Sequence, residues 1–162
     1  MMGEALHKEK CMWKPLELDG SSTKNGFSVT YEHRADIIQW LSDVSQQFQF
    51  YPEALALAVS LLDKFLCSVK VQLRYLKCVA LTCMHIASKI TEEDEIVPHV
   101  ADLVSLTAAN CSTDDIVRME RLILNKLSWN VNMATPLHFL QVLSSGGGAP
   151  CLPVSPAVTF AY

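Results

Sequence analysis

Residues 71–90, VQLRYLKCVALTCMHIASKI, carry apolar side chains on every face that a helix would present. Leu73, Leu76, Val79, Ala80, Cys83, Met84, Ile86 and Ala87 fall on no single stripe. A helix apolar all round has to be buried all round, either in the middle of a large core or in a bilayer. Arg74, Lys77, His85 and Lys89 decide between the two, because hydrocarbon does not tolerate four such interruptions. The spacing therefore predicts a central helix over about 72–89, around which other helices pack. Its small residues Ala80, Cys83, Ala87 and Ser88 admit close neighbours.

The neighbours are legible on either side. Ile37, Leu41, Val44 and Phe48 recur at helical spacing and predict a helix over about 34–48. Tyr51-Pro52 resets the chain, and proline at the first helical position costs nothing because that N–H has no partner anyway. Leu55, Val59, Leu62 and Leu66 then form one stripe, with Ala54, Ala58, Leu61 and Phe65 beside it. After the polar break Thr91–Glu95, Pro98 opens a short helix with Val100, Leu103, Val104 and Leu106. Ser112 followed by Asp115 reads as a capping box for a helix over 113–127, with Ile116, Met119, Ile123 and Leu127 inward and an Asp114–Arg118 pair outside. No strand pattern occurs. The expected fold is all-α: a single five-helix bundle around a central buried helix, with a partial sixth helix. By residue, 1–30 is a partly irregular arm that Trp13, Leu16, Leu18 and Phe27 could anchor, and 31–133 the bundle. Residues 134–143 start a further helix, and 144–162 form an irregular Gly/Pro tail.

Composition removes several function classes. The net charge is −4 with no Lys/Arg stripe, so neither nucleic acid nor an anionic membrane is expected as a partner. The opening MMGEALHKEKCMWKPLELDG has no apolar core, so no secretory signal is read and an intracellular location, nucleus or cytoplasm, is expected. Six cysteines include no Cys-x-x-Cys pair and fit small buried thiols in a reducing compartment. Five histidines show no zinc spacing, so no metal or other cofactor is expected. No Gly-rich phosphate loop, nucleophile elbow or kinase signature is present, and the adjacent acids Glu92/Glu93 and Asp114/Asp115 read as loop and cap charges. The chain is not expected to be an enzyme.

Four charged residues stand out within this apolar background: Arg34 in HRADIIQWL, Asp63 in SLLDKFL, Lys89 in HIASK and Glu120 in RMERLIL. On the residues alone, Asp63 either pairs with a cation or sits on the wet edge of its helix, since a buried carboxylate needs a partner. Likewise Lys89 could be a cation at a helix C-terminus, and Glu120 a solvated side chain. Taken in order and with their separations, the four strings resemble the cyclin box, the five-helix module through which cyclins bind and activate protein kinases. FYPEALALAVSLLDKFL, TEEDE, RMERLILNKLSWN and ATPLHFL look most like the cyclin G and cyclin I subgroup. The resemblance covers about 31–143. It implies that Arg34 and Asp63 form an internal brace and that Lys89 and Glu120 bind the regulatory helix of a cyclin-dependent protein kinase. Ile86, Ile90 and Trp129 would be the apolar contacts between and around them. The reading requires Lys89 and Glu120 to converge on one outer face without being consumed inside their own chain. Within the same family an adaptor role, with a phosphatase regulatory subunit as another conceivable partner, stays open.

The chain also departs from the family. The patch that docks Arg-x-Leu peptides in many cyclins corresponds here to His33, Asp36, Ile37, Trp40, Asp43, Leu76 and Lys77. His33 and Asp36 replace apolar residues, so such docking is expected to be weak or absent, although Ile37, Trp40 and Leu76 could keep a groove. Most of the second five-helix repeat of typical cyclins is missing. Leu137, Phe139, Leu140, Val142 and Leu143 are then expected either to fold back or to stay exposed, as in a shortened splice form or fragment.

Overall fold

The structure, a computed structural model, describes residues 29–107, 109–131 and 135–145. The remaining arm residues, including Trp13, Leu16, Leu18 and Phe27, and the tail beyond Ser145 lie outside them. Among the described residues there are six helices and no strand: α1 Tyr31–Gln47, α2 Pro52–Ser68, α3 Leu73–Thr91, α4 Val100–Thr107, α5 Thr113–Lys126 and α6 Pro136–Ser145.

Local chemistry sets most of the ends. Ser112 accepts a hydrogen bond from the Asp115 N–H, and the Asp115 carboxylate accepts from the Ser112 N–H, so the capping box at the start of α5 closes. Pro52 stands at the first position of α2. The start of α1 was not foreseen: Thr30 Oγ1 accepts from the His33 N–H, and His33 Nδ1 accepts from the Thr30 N–H at 3.3 Å. Here histidine takes the place that glutamate or glutamine usually holds in such a box. Arg118 acts electrostatically on Asp115 rather than forming the expected ion pair with Asp114.

Helices α1 and α5 end alike. Phe50 N–H bonds to Ser45 O and Gln49 N–H to Gln46 O; Trp129 N–H bonds to Leu124 O and Ser128 N–H to Asn125 O. These paired bonds are the Schellman closure, which normally places glycine in the left-handed position. Here Gln49 (φ 56°) and Ser128 (φ 51°) occupy it, and Trp129 (φ 58°) follows in the same region. A side chain there costs roughly 1–2 kcal/mol per residue.

Helix α3 runs through the centre and packs against α2, α5 and α1. Leu76, Val79, Ala80, Cys83, Met84 and Ala87 meet Leu61, Leu62 and Phe65 of α2 and Ile123 of α5 in one core. A second, smaller core gathers Cys78 and Leu81 of α3 with Val44, Leu103 and Ile116. Ala80, Cys83 and Ala87 have no exposed surface, so these small side chains sit where neighbouring helices come closest. Cys78, Cys83 and Cys111 are free thiols whose pKa burial raises, Cys78 to about 12; Cys67 is exposed, and Cys11 and Cys151 lie outside the described residues.

The sixth helix lies against α2: Leu137 is buried and Gln141 Nε2 donates to Glu53 Oε1 at 3.0 Å, while Leu140 and Leu143 face solvent. It continues through Ser145, two residues past its expected end at 143.

Candidate functional site

Helices α3 and α5 pack side by side, and their outer edges carry Lys89 and Glu120. Lys89 lies in the last turn of α3, where a cation is favoured by the helix dipole. Its Nζ donates to Glu120 Oε1 at 2.6 Å. The two side chains therefore converge, and they also bond to each other. One of the three Nζ–H donors is engaged, and Glu120 Oε2 accepts no hydrogen bond among the described residues, so the pair keeps donors and acceptors for a third group. Ile90 (46% exposed) and Trp129 (67% exposed) offer apolar surface on the segments that follow Lys89 and α5.

Ile86 requires a correction. It is 3% exposed and belongs to the core cluster that contains Ile123 and Leu127, so it offers no surface to a partner. A helix that is apolar all round gives no periodic signal for its outward face.

Arg34 and Asp63 meet in a different setting. Arg34 Nε donates to Asp63 Oδ1 and Nη2 to Oδ2, both at 2.7 Å, so the guanidinium and carboxylate pair through two parallel bonds. Asp63 is 5% exposed and lies among buried Leu61, Leu62 and Phe65 of α2. The bidentate contact ties α1 to α2.

The positions of the peptide patch are mostly committed elsewhere. His33 caps α1, and Ile37 and Leu76 are buried in the core, so neither of the latter lines an open groove. This corrects the expectation that they could preserve one. Trp40 is half-buried with Lys77 Nζ 5.5 Å from its ring centroid, a cation–π contact over the indole. Asp36 and Asp43 are exposed, and Asp43 Oδ1 accepts from Gln39 Nε2 at 3.3 Å.

Two residues near Lys89 were not singled out by sequence reasoning. Glu92, read as a loop charge, is buried and its Oε1 accepts from the Tyr51 N–H at 2.7 Å. A carboxylate from the end of α3 thus caps α2, where the positive end of the dipole favours it. His85, one turn before Lys89, is 4% exposed, and its Nδ1 has no hydrogen-bond partner among the described residues. Burial pushes its pKa down from 6.5 to about 4, with the Lys89 charge adding to the shift and Glu120 opposing it. The ring is neutral at neutral pH. Among the described residues no helix is long and apolar enough to cross a membrane, and no cluster of His, Cys, Asp and Glu could hold a metal ion.

Residues 6–132 match the family described as the cyclin N-terminal domain. The chain belongs to the cyclin family. Mouse cyclin-G1 is 38% identical over 130 residues, which is 80% of this chain and 44% of that protein. Human cyclin-I2 is 34% identical over 107 residues, 66% of this chain and 29% of the relative. The cyclin chain described here therefore spans less than half the length of these relatives. The viral cyclin of herpesvirus saimiri shares the cyclin fold, with a TM-score of 0.75 and 23% identity, covering 89% of this chain and 60% of its own. Helices α1–α5 lie within the matched residues, with Lys89 and Glu120 on the α3–α5 edge.

Proposed function

We propose that the chain is a non-catalytic regulatory subunit that binds a cyclin-dependent Ser/Thr protein kinase through the α3–α5 edge of its cyclin box. The observation that carries this reading is the Lys89–Glu120 pair, 2.6 Å apart on an outer face and flanked by exposed Ile90 and Trp129. A hydrogen-bonded charge pair beside large apolar side chains is suited to an amphipathic helix from a partner. The family's mechanism then applies: the box holds the kinase's regulatory helix inward, completes the internal Lys–Glu ion pair of the kinase and helps order its activation loop. Activation follows because the active arrangement binds more tightly than the inactive one.

Loss of either anchor is expected to cost about 2–4 kcal/mol of association, the range of interface hot spots. The test is capture from cell lysate, with kinase activity measured as purified chain is added. Wild-type chain should retain a cyclin-dependent kinase and raise its activity, and Lys89→Ala and Glu120→Ala should lose both effects. Equal capture by all three removes this surface from the account.

One observation favours a second reading. Leu140 and Leu143 project into solvent from α6 without a covering element among the described residues. A non-activating adaptor or competitor would use that apolar edge, or the same kinase face, to engage a kinase or a phosphatase subunit. It would lower kinase activity when mixed with a full-length cyclin, whereas an activator would not.

A further inference from the structure

Helix α3 and the turn that opens α5 bring two thiols together. Cys78 lies on α3, and Cys111 stands just before Ser112, the residue that caps α5. Both belong to the smaller core: Cys78 sits inside it with Leu81, Leu103 and Ile116, and Cys111 packs against its edge. Their side chains are in hydrogen-bond contact, the Cys78 S–H donating to Cys111 Sγ. Two sulfurs from distant parts of the chain thus touch while both remain free thiols.

The pair is asymmetric, and the asymmetry assigns roles. Cys78 is 7% exposed, whereas Cys111 is half-buried, so a small oxidant reaches Cys111 first. Burial raises the Cys78 pKa to about 12, with Cys111 and Asp115 adding to the rise and Thr82 opposing it. Burial also raises the Cys111 pKa, but there the hydrogen bond from Cys78 favours the thiolate and opposes the shift. The thiolate is the reacting form, so Cys111 is the attacking sulfur and Cys78 the resolving one. Both stay largely protonated at neutral pH, which makes the pair slow and suits it to an excess of oxidant rather than a trace. Cys83, on the same helix, has no exposed surface and lies out of reach.

We infer that Cys78 and Cys111 are a redox pair that hydrogen peroxide closes into an intramolecular disulfide, tying α3 to the start of α5. In the first step the Cys111 thiolate attacks one peroxide oxygen and the O–O bond breaks. The departing hydroxide takes up a proton as water and leaves Cys111 as the sulfenic acid. In the second step Cys78 Sγ attacks that sulfur, the S–O bond breaks, and the hydroxide leaves with the Cys78 proton as a second water. Each sulfur loses one electron, the peroxide is reduced to water, and a dithiol reductant reverses the change. Closure links the two helices that carry Lys89 and Glu120, yet the pair is a property of the chain alone and stands apart from kinase binding.

The test treats the full chain with hydrogen peroxide, blocks the remaining thiols with N-ethylmaleimide in urea, and sequences the tryptic peptides by mass spectrometry. The peptide that begins at Cys78 also contains Cys83, and fragmentation between Val79 and Thr82 tells the two apart. In the folded chain the Cys78–Cys111 link should exceed every other pairing by at least about tenfold, because contact gives it a high effective concentration. It should lose that lead when oxidation is carried out in urea. Cys78→Ala should stop at the first step, with a Cys111 sulfenic acid that dimedone traps. Cys111→Ser, at the edge of the core, should leave Cys78 reduced and covers the case in which Cys78→Ala does not fold. A different dominant link would overturn the pair, as would Cys78 and Cys111 both remaining reduced after the exposed Cys67 has been oxidised. Dimedone on Cys78 in Cys111→Ser would overturn the assignment of roles.

Discussion

Two ion pairs among the described residues have almost the same length and opposite surroundings. Arg34 and Asp63 are joined at 2.7 Å by two parallel bonds, with the carboxylate 5% exposed. Lys89 and Glu120 are joined at 2.6 Å by one bond on the outside of the bundle. Taking charges out of water is costly, so a buried pair binds its two helices firmly only while both partners are present. A solvated pair contributes little to stability, because water and salt screen it. On the proposed reading the difference separates a brace from an interface: the buried pair ties two helices together, and the exposed pair serves a partner.

Breaking the buried pair should give the largest effect. Arg34→Ala strands a buried carboxylate and is expected to cost about 3–5 kcal/mol of stability, read from the midpoint of urea unfolding. Lys89→Ala should cost less than about 1 kcal/mol in the same assay. Similar losses from both would erase the distinction.

Next in size is the acid response of His85, which sits behind the exposed pair. Its pKa is lowered in the fold to about 4 from 6.5, so between these values the unfolded chain binds more protons than the folded one. The contribution is fully present above pH 6.5 and is lost as the pH falls towards 4. It amounts to at most roughly 3 kcal/mol. His85→Leu should remove this part of the pH dependence while leaving the carboxylate-driven part. An unchanged stability–pH profile in the variant would show that His85 titrates normally in the folded chain.

A smaller effect concerns the backbone that carries Glu120 and Trp129. Ser128→Gly relieves a left-handed residue at the end of α5 and should stabilise the chain by about 1 kcal/mol, seen as a higher thermal midpoint. The smallest expected effect is none. Arg-x-Leu peptides should bind no better than scrambled ones by fluorescence anisotropy, since Ile37 and Leu76 are closed in the core and Lys77 stands over Trp40. Tight binding lost in Trp40→Ala would reopen the patch.

Much of this arrangement was legible in the sequence because local chemistry fixed it. Pro52 and the Ser112–Asp115 box mark helix starts, and a helix apolar on every side has to be central. Other features depend on what packs against what. Ile86 was assigned to the partner surface by the family resemblance, and the all-round apolar composition of α3 carries no periodic signal against that; its burial does. Gln49 and Ser128 close helices without the glycine that would announce such an end. Glu92 looks like its solvated neighbours until α2 arrives with a free N–H at Tyr51. The unpaired nitrogen of His85 and an open cavity beside it exist only once the loop 92–99 folds across α3.

The most direct test exchanges the charges of the outer pair. Lys89→Glu combined with Glu120→Lys keeps an ion pair between α3 and α5 and should leave the unfolding midpoint unchanged. A partner that reads the donor on α3 and the acceptor on α5 would now meet both reversed. The account predicts that the swapped chain folds as the wild type does and no longer captures a cyclin-dependent kinase from lysate. Capture at wild-type levels by the swapped chain would contradict it and leave the pair as a surface ion bridge between two helices.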